Sequence, residues 1–235
     1  MSNAAIRRLQ GQGQRLLSLS CLFPGVTRLE NNVHGTIREE SSSSRVDTGG
    51  DNTREEILER ALQNVPQFGF TRKSLEAAAV DLSLSKACAG AIKPAEVVHY
   101  FNSIANDQLE RILADAGAAP EWKHDKTLHE KLAHGVNTRL DILAPYKRVW
   151  SSALAAQAYH DEAVHVFGSA ERMLNSIWAF ANGEQGSEVD LTWYTRRILL
   201  GAIVQAAEVY MLTDDSPDLQ DTKAFVDRGL SLVLV

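Results

Sequence analysis

Three Glu-x-x-His pairs are the first residues whose types and spacing could do chemistry: Glu96 with His99, Glu121 with His124, and Glu162 with His165. On a helix, residues three apart share a face, and di-iron carboxylate bundles combine two such pairs with a glutamate from each of two further helices. Glu121 falls in the first turn after Pro120, Glu96 follows a short turn-helix unit, and the two extra glutamates are missing from the long apolar helices. The pairs therefore read as i,i+3 neighbours on exposed faces, and no metal site is expected. Zinc is no better served, because His124, His129 and His134 are spaced by five and rotate around a helix instead of sharing a face.

Other catalytic signatures are absent from the sequence. There is no phosphate-binding Walker loop, no Gly-rich dinucleotide fingerprint and no nucleophile elbow. Two cysteines, Cys21 and Cys88, cannot build a disulfide framework or a four-cysteine zinc site. Cys88 lies among Ala and Gly and reads as a small packing residue. No catalytic residue and no cofactor are expected.

The chemically unusual segment is Asp190-Leu191-Thr192-Trp193-Tyr194-Thr195-Arg196-Arg197. Trp193 and Arg197 are i,i+4 and Tyr194 and Arg197 are i,i+3, so one guanidinium shares a face with two aromatic rings. Such a face suits a protein interface, where Trp, Tyr and Arg are enriched, or a lipid headgroup, to which arginine presents a planar fork of donors. A purely structural reading instead buries Trp193 in the core and pairs Arg197 with Glu208 or Asp190. Downstream, Ile198 to Leu212 is apolar on nearly every face, as in a helix that is buried or lines an apolar cavity. Gln205 and Glu208 interrupt it and rule out a membrane span.

The elements that must position these residues are helical. The 235 residues carry 24 Lys+Arg against 30 Asp+Glu, a net charge of -6, with 44% hydrophobic residues. Residues 1–29 contain Arg7, Arg8, Arg15 and Arg28 and no acid, interleaved with Leu and Ser, the composition of a mitochondrial presequence. Residues 30–53 are polar and Ser/Gly-rich, and are expected to be a disordered linker. The folded part begins near Thr53, where Thr53 and Glu56 form a capping box ahead of Ile57, Leu58, Ala61, Leu62 and Val65. Thr71 caps a second helix, Asp81 to Ser85 turns, and a short third helix runs from Ser85 toward Ile92. Residues 54–105 thus outline a helix-turn-helix unit, and 106–235 form a larger helical part. The expected helices there cover Trp122 to Leu143, Val149 to Tyr159, Asp161 to Phe180, Asp190 to Leu212, and Ser216 or Pro217 through Phe225. The fold class is all-α. The candidate recognition helix offers Lys86 as its one long polar side chain, so no nucleic acid is expected as partner.

The run from Asn182 to Pro217, with Trp193-Tyr194-Thr195-Arg196-Arg197 followed by Asp214-Asp215-Ser216-Pro217-Asp218, resembles the ubiquinone-biosynthesis lipid-binding family known as Coq nine. Thr138-Arg139-Leu140, Pro145-Tyr146, Trp150, Trp178 and Phe68-Gly69-Phe70-Thr71 are similar to that family too, and the resemblance covers about Thr53 to Gly229. It implies a TetR-like fold whose helix-turn-helix no longer serves DNA. It also implies a hydrophobic lipid pocket and a non-catalytic role beside the di-iron hydroxylase of ubiquinone synthesis. The ligand would be a phospholipid or a prenylated quinone intermediate, at the matrix face of the mitochondrial inner membrane. By the same resemblance Trp193 and Tyr194 belong to the partner-contacting surface, with Asp190 beside them, and Arg197 meets a lipid headgroup. Family members generally continue into an amphipathic membrane-docking helix. Here the sequence stops at Val235 after an apolar tail without a Lys/Arg face, so peripheral membrane contact is the least supported part of the resemblance. A homodimer is left open. The rival reading is a TetR-like ligand-responsive transcriptional regulator, which shares scaffold and pocket.

Overall fold

Apolar residues at helical spacing explain most of the architecture. The computed structural model describes residues 48–158, 162–182 and 191–233, with backbone alone at 48–51, 182, 191–194 and 232–233. The segment expected as a presequence (1–29), residues 30–47 of the expected linker, and Asp190 lie outside the described residues. The chain divides into Met1–Thr48 and Gly49–Val235, and the elements below make up the second unit.

Helix α1 spans Thr48–Phe68 and buries Ile57, Ala61, Leu62 and Val65 on one face. It starts ahead of the capping box expected at Thr53. Glu56 is engaged by Asn52, whose amide donates to its carboxylate at 2.8 Å, an i,i+4 pair inside the helix. Gly69, at φ 70°, ends α1 by returning its N–H to the Val65 carbonyl. Thr71 then caps α2 (Arg72–Asp81), as its position predicts.

The short third helix is a 3-10 turn over Lys86–Ala91, capped by the Ser85 hydroxyl. Ala-Cys-Ala-Gly-Ala offers few side chains to bury, and Ala89 alone of these residues is buried. Cys88 is exposed, which corrects its reading as a packing residue.

Helix α3 (Pro94–Ala118) places Pro94 in its first turn, where the missing N–H costs nothing, and Glu96 accepts the Lys93 N–H at 2.8 Å. It runs through the expected boundary between residues 105 and 106 and packs on the helices that follow. The single helix expected from Trp122 to Leu143 is two: α4 (Pro120–His124) and α5 (Leu128–Leu143). The break has a local cause, since Thr127 and Glu130 form a reciprocal capping box that starts α5 afresh. Ala144–Tyr146 makes a 3-10 turn into α6 (Lys147–Gln157), followed by α7 (Ala163–Asn182) and α8 (Leu191–Met211). A 3-10 turn at Pro217–Leu219 leads to α9 (Gln220–Val233), which extends beyond the expected end at Phe225. No strand occurs among the described residues.

Phe70, Phe101, Tyr146 and Trp150 form one aromatic cluster, with Phe101 against Tyr146 at 4.8 Å and Phe70 against Trp150 at 5.7 Å, both edge-to-face. Each such pair contributes about 0.5–1.5 kcal/mol beyond area burial. The cluster ties the α1–α2 corner to α3 and α6, and it gathers residues from three of the motif segments singled out in the sequence. Helix α3 packs against α5, α6 and α7, while α8 and α9 pack on each other and on α5. Among the described residues no helix is long and apolar enough to cross a membrane.

Candidate ligand cavity and partner face

Helix α5 presents an apolar stripe of Leu132, Val136 and Leu143, and Arg139 stands on that stripe at helical spacing. Helix α8 presents Leu200, Val204, Ala207 and Met211, with Glu208 beside them. The two charged residues are buried, Arg139 at 4% and Glu208 at 7% exposure. They line a cavity of about 360 Å³ together with Asn102 of α3, Trp150 and Leu154 of α6, and residues of α7 that include Met173 and Leu174.

The cavity's polar wall is a short network. Arg139 Nη2 donates to Asn102 Oδ1 at 2.7 Å, Trp150 Nε1 donates to Glu208 Oε2 at 3.2 Å, and Arg139 Nε lies 3.9 Å from Glu208 Oε1. Burial pushes the Glu208 carboxyl above the usual carboxylate range, against the pull of Arg139 and the Trp150 hydrogen bond. Burial pushes the Arg139 guanidinium down, with Glu208 opposing. Neither residue was expected at a site, although Arg139 and Trp150 both lie in segments that carry the family resemblance.

The second region is the outer face of α8. Trp193 and Tyr194 sit in its first turn, where only their backbone is described, and Asp190 precedes the described helix. Arg197 is half-buried, donates through Nη1 to Asn175 Oδ1, and has its guanidinium lowered by burial, with Glu171 opposing. Glu208 is engaged by Arg139 and Trp150, which removes one of the two partners that the purely structural alternative offered Arg197; the other, Asp190, lies outside the described residues. The expectation that α8 is buried or lines an apolar cavity holds for one face only. Ile198 is 70% and Val209 51% exposed, and Tyr210 stacks on Phe225 of α9 at 5.2 Å. Helix α8 thus has one face on the cavity and an apolar stripe facing outward.

The Glu-x-x-His pairs require a third correction. Glu162 is buried, not on an exposed face, and accepts from His99 Nε2 at 2.8 Å and Lys93 Nζ at 3.1 Å. The His99 and His165 rings lie 5.0 Å apart, and Glu96 pairs with Arg54. Two of the three pairs therefore meet where α7 begins against α3, while Glu121 and His124 stay apart on α4. Lys93 and Arg54 satisfy the carboxylates, and among the described residues no group of three His, Cys, Asp or Glu is placed to hold a metal ion. His134 stacks on Trp122 at 4.4 Å, and burial lowers its pKa, with Asp141 opposing.

Asp214, in the second segment that carries the resemblance, is structural. Its carboxylate accepts from the Ser216 and Thr222 N–H groups, each at 2.8 Å, and from both hydroxyls. Its carbonyl accepts from Lys147 at the start of α6.

Comparison with known proteins connects these features. The COQ9 family model matches residues 165–234, which cover α7 to α9. The chain is 32% identical over 183 residues to the ubiquinone biosynthesis protein COQ9, mitochondrial, of Homo sapiens, covering 74% of this chain and 55% of that protein. It is 30% identical over 178 residues to the COQ9 protein of Drosophila melanogaster, covering 75% and 53%. The chain spans about half the length of the curated relatives it matches. Its fold is similar to that of a TetR transcriptional regulator from Nitrosomonas europaea, at a TM-score of 0.53 and 16% identity, over 77% of this chain and 98% of that one. The chain is all-α with a TetR-like fold, and in sequence it resembles the COQ9 proteins of ubiquinone biosynthesis.

Proposed function

We propose that the chain is a non-catalytic lipid-binding accessory protein of ubiquinone biosynthesis. It works in mitochondria at the matrix side of the inner membrane and presents a quinone intermediate to the di-iron hydroxylase of the pathway. The observation that carries this reading is the cavity between α3, α5, α6, α7 and α8, whose α7 and α8 walls lie inside the segment matched by the COQ9 family. Its lining sets apolar side chains such as Leu154, Met173 and Val204 beside polar ones such as Asn102, Arg139 and Gln205, and a cleft of apolar walls with placed polar groups is the usual form of a small-molecule site.

The partner surface in this reading is the outer face of α8. Tyr194, Ile198 and Ala202 follow one another at i,i+4, and the exposed stripe ends at Val209 and Tyr210. Apolar side chains in a row on a helix surface suit a protein partner. Trp193 and Tyr194 would make the contact with Asp190 beside them, and Arg197 one turn on would meet a lipid headgroup.

Two measurements test the reading. Organic extraction of the natively purified chain should release a phospholipid or prenylated quinone, and preparations that release none contradict it. Trp193→Lys should weaken capture of the hydroxylase with an unchanged far-ultraviolet dichroism spectrum, and unaltered capture removes this face from the interface.

A further inference from the structure

A second cavity, of about 500 Å³, opens where the α1–α2 corner, the start of α3 and the last turns of α6 meet Glu162, just ahead of α7. It shares no lining residue with the cavity between α5 and α8. Its apolar wall is Phe70, Pro94, Ala95 and Ala156, and Phe70 is fixed by its edge-to-face contacts with Phe101 and Trp150. The volume falls inside the range of small-molecule sites, about 300–1,000 Å³.

Most polar groups on this lining are already committed. Ser152 Oγ donates to the Val149 carbonyl at 2.6 Å and accepts the Phe70 N–H. Thr71 Oγ1 donates to the Phe68 carbonyl at 2.9 Å and accepts the Lys73 N–H. The two oxygens of Glu162 are taken by Lys93 and His99. Arg72 is the exception. Of the five N–H donors of a guanidinium, one is used, by Nη1 toward the Ala89 carbonyl at 3.3 Å, and among the described residues no carboxylate pairs with it.

The charge balance selects the ligand. Lys93 and Glu162 cancel each other, which leaves Arg72 as the uncompensated charge on the lining. Arg72 is exposed, so it stands at the mouth, where a charged head stays in reach of water while an apolar body enters. Its planar fork matches a carboxylate through two parallel hydrogen bonds. A doubly charged head would add repulsion from the buried Glu162 carboxylate on the same lining.

We propose that this cavity binds a small organic acid, one carboxylate on a compact apolar body, with the carboxylate on Arg72 and the body against Phe70 and Pro94. The site is separate from the lipid-binding reading, and its failure leaves that reading untouched.

The test uses three probes with one ring system: 1-naphthoate, 1-naphthalenemethanol and 1-naphthyl phosphate. Their affinities for the intact chain are measured by equilibrium dialysis. The wild type should bind naphthoate at least tenfold more tightly than either of the others. Arg72→Gln should lower naphthoate to the level of the alcohol and leave the alcohol unchanged. Ala155→Phe fills the mouth and should weaken both by at least tenfold. Arg72 and Ala155 are both exposed, so neither substitution disturbs the core, and an unchanged far-ultraviolet dichroism spectrum checks each variant. Equal affinity of the wild type for acid and alcohol, or a preference that survives in Arg72→Gln, overturns the role of Arg72. Tighter binding of the phosphate overturns the singly charged head. Failure of every probe to bind the wild type, or binding untouched by Ala155→Phe, overturns this cavity as the site.

Discussion

Thr222 donates both its backbone N–H and its hydroxyl to one oxygen of the Asp214 carboxylate, and Thr222 is fully buried. The other oxygen is taken by Ser216, so the turn before α9 is organised around one side chain. Burial alone would raise this carboxyl, but hydrogen bonds from Ser216 and Thr222 outweigh it and hold the group well below the usual carboxylate range.

Asp214→Ala strands these donors and should cost about 2 kcal/mol in urea unfolding. The pH dependence has a definite sign. A depressed folded-state pKa contributes stability that is complete above the ordinary aspartate value of about 4 and is lost as pH falls through the folded value. The variant should therefore show a shallower loss of stability between about pH 5 and pH 2, a window about three units wide. An unchanged acid slope would remove Asp214 from the account.

Glu162 carries the same sign through different partners. Its carboxyl is lowered by the hydrogen bonds from His99 and Lys93, which outweigh the effect of burial. The stability it contributes is present above the ordinary glutamate range and lost as pH falls below it. Glu162→Gln should destabilise the chain at pH 7 by about 1–2 kcal/mol and by less at pH 3. A loss of equal size at both pH values would mean that the charge on Glu162 does not matter.

Gly135 of α5 lies directly against Ile177 of α7. A Cβ placed there would lie 2.7 Å from Cγ2 of Ile177, a branched and stiff side chain that is itself fully buried. Gly135→Ala should lower stability by about 1–3 kcal/mol through overpacking, despite the better helix propensity of alanine. Ile177→Ala in the same chain makes room, so the two substitutions should be non-additive in a double-mutant cycle. Additive losses would show that the helices do not touch at this point.

Gly69 faces two constraints at once. Its φ of 70° lies in the left-handed region, and a Cβ there would lie 2.8 Å from Oγ of Ser152, which itself accepts the Phe70 N–H at 2.9 Å. Gly69→Ala should cost about 1–2 kcal/mol, and Ser152→Ala in that background should recover little, because the backbone strain stays. Full recovery would assign the whole cost to the contact with Ser152.

The all-α class and most helix positions were legible because apolar residues recur at helical spacing over long stretches. Features set by single side chains were harder to read. The Thr127–Glu130 capping box splits an otherwise periodic run, and its signal is a Thr-x-x-Glu pattern that periodicity alone passes over. The exposed stripe of α8 is not legible in the sequence, because an apolar side chain does not declare whether its neighbour is protein or solvent. The cavity is the feature least legible along the chain. Its signal was present as two opposite charges, Arg139 and Glu208, each set alone on an apolar helical stripe, and their pairing emerges only when α5 and α8 are brought together. The meeting of Glu162 with His99 is likewise tertiary, since 63 residues separate them.

Native mass spectrometry of the intact chain, purified without detergent, tests the central claim most directly. The account predicts a population carrying one bound prenylated quinone or phospholipid per chain, released by collisional activation and lost on denaturation. A spectrum that contains only the bare chain, even after incubation with decylubiquinone, would contradict it.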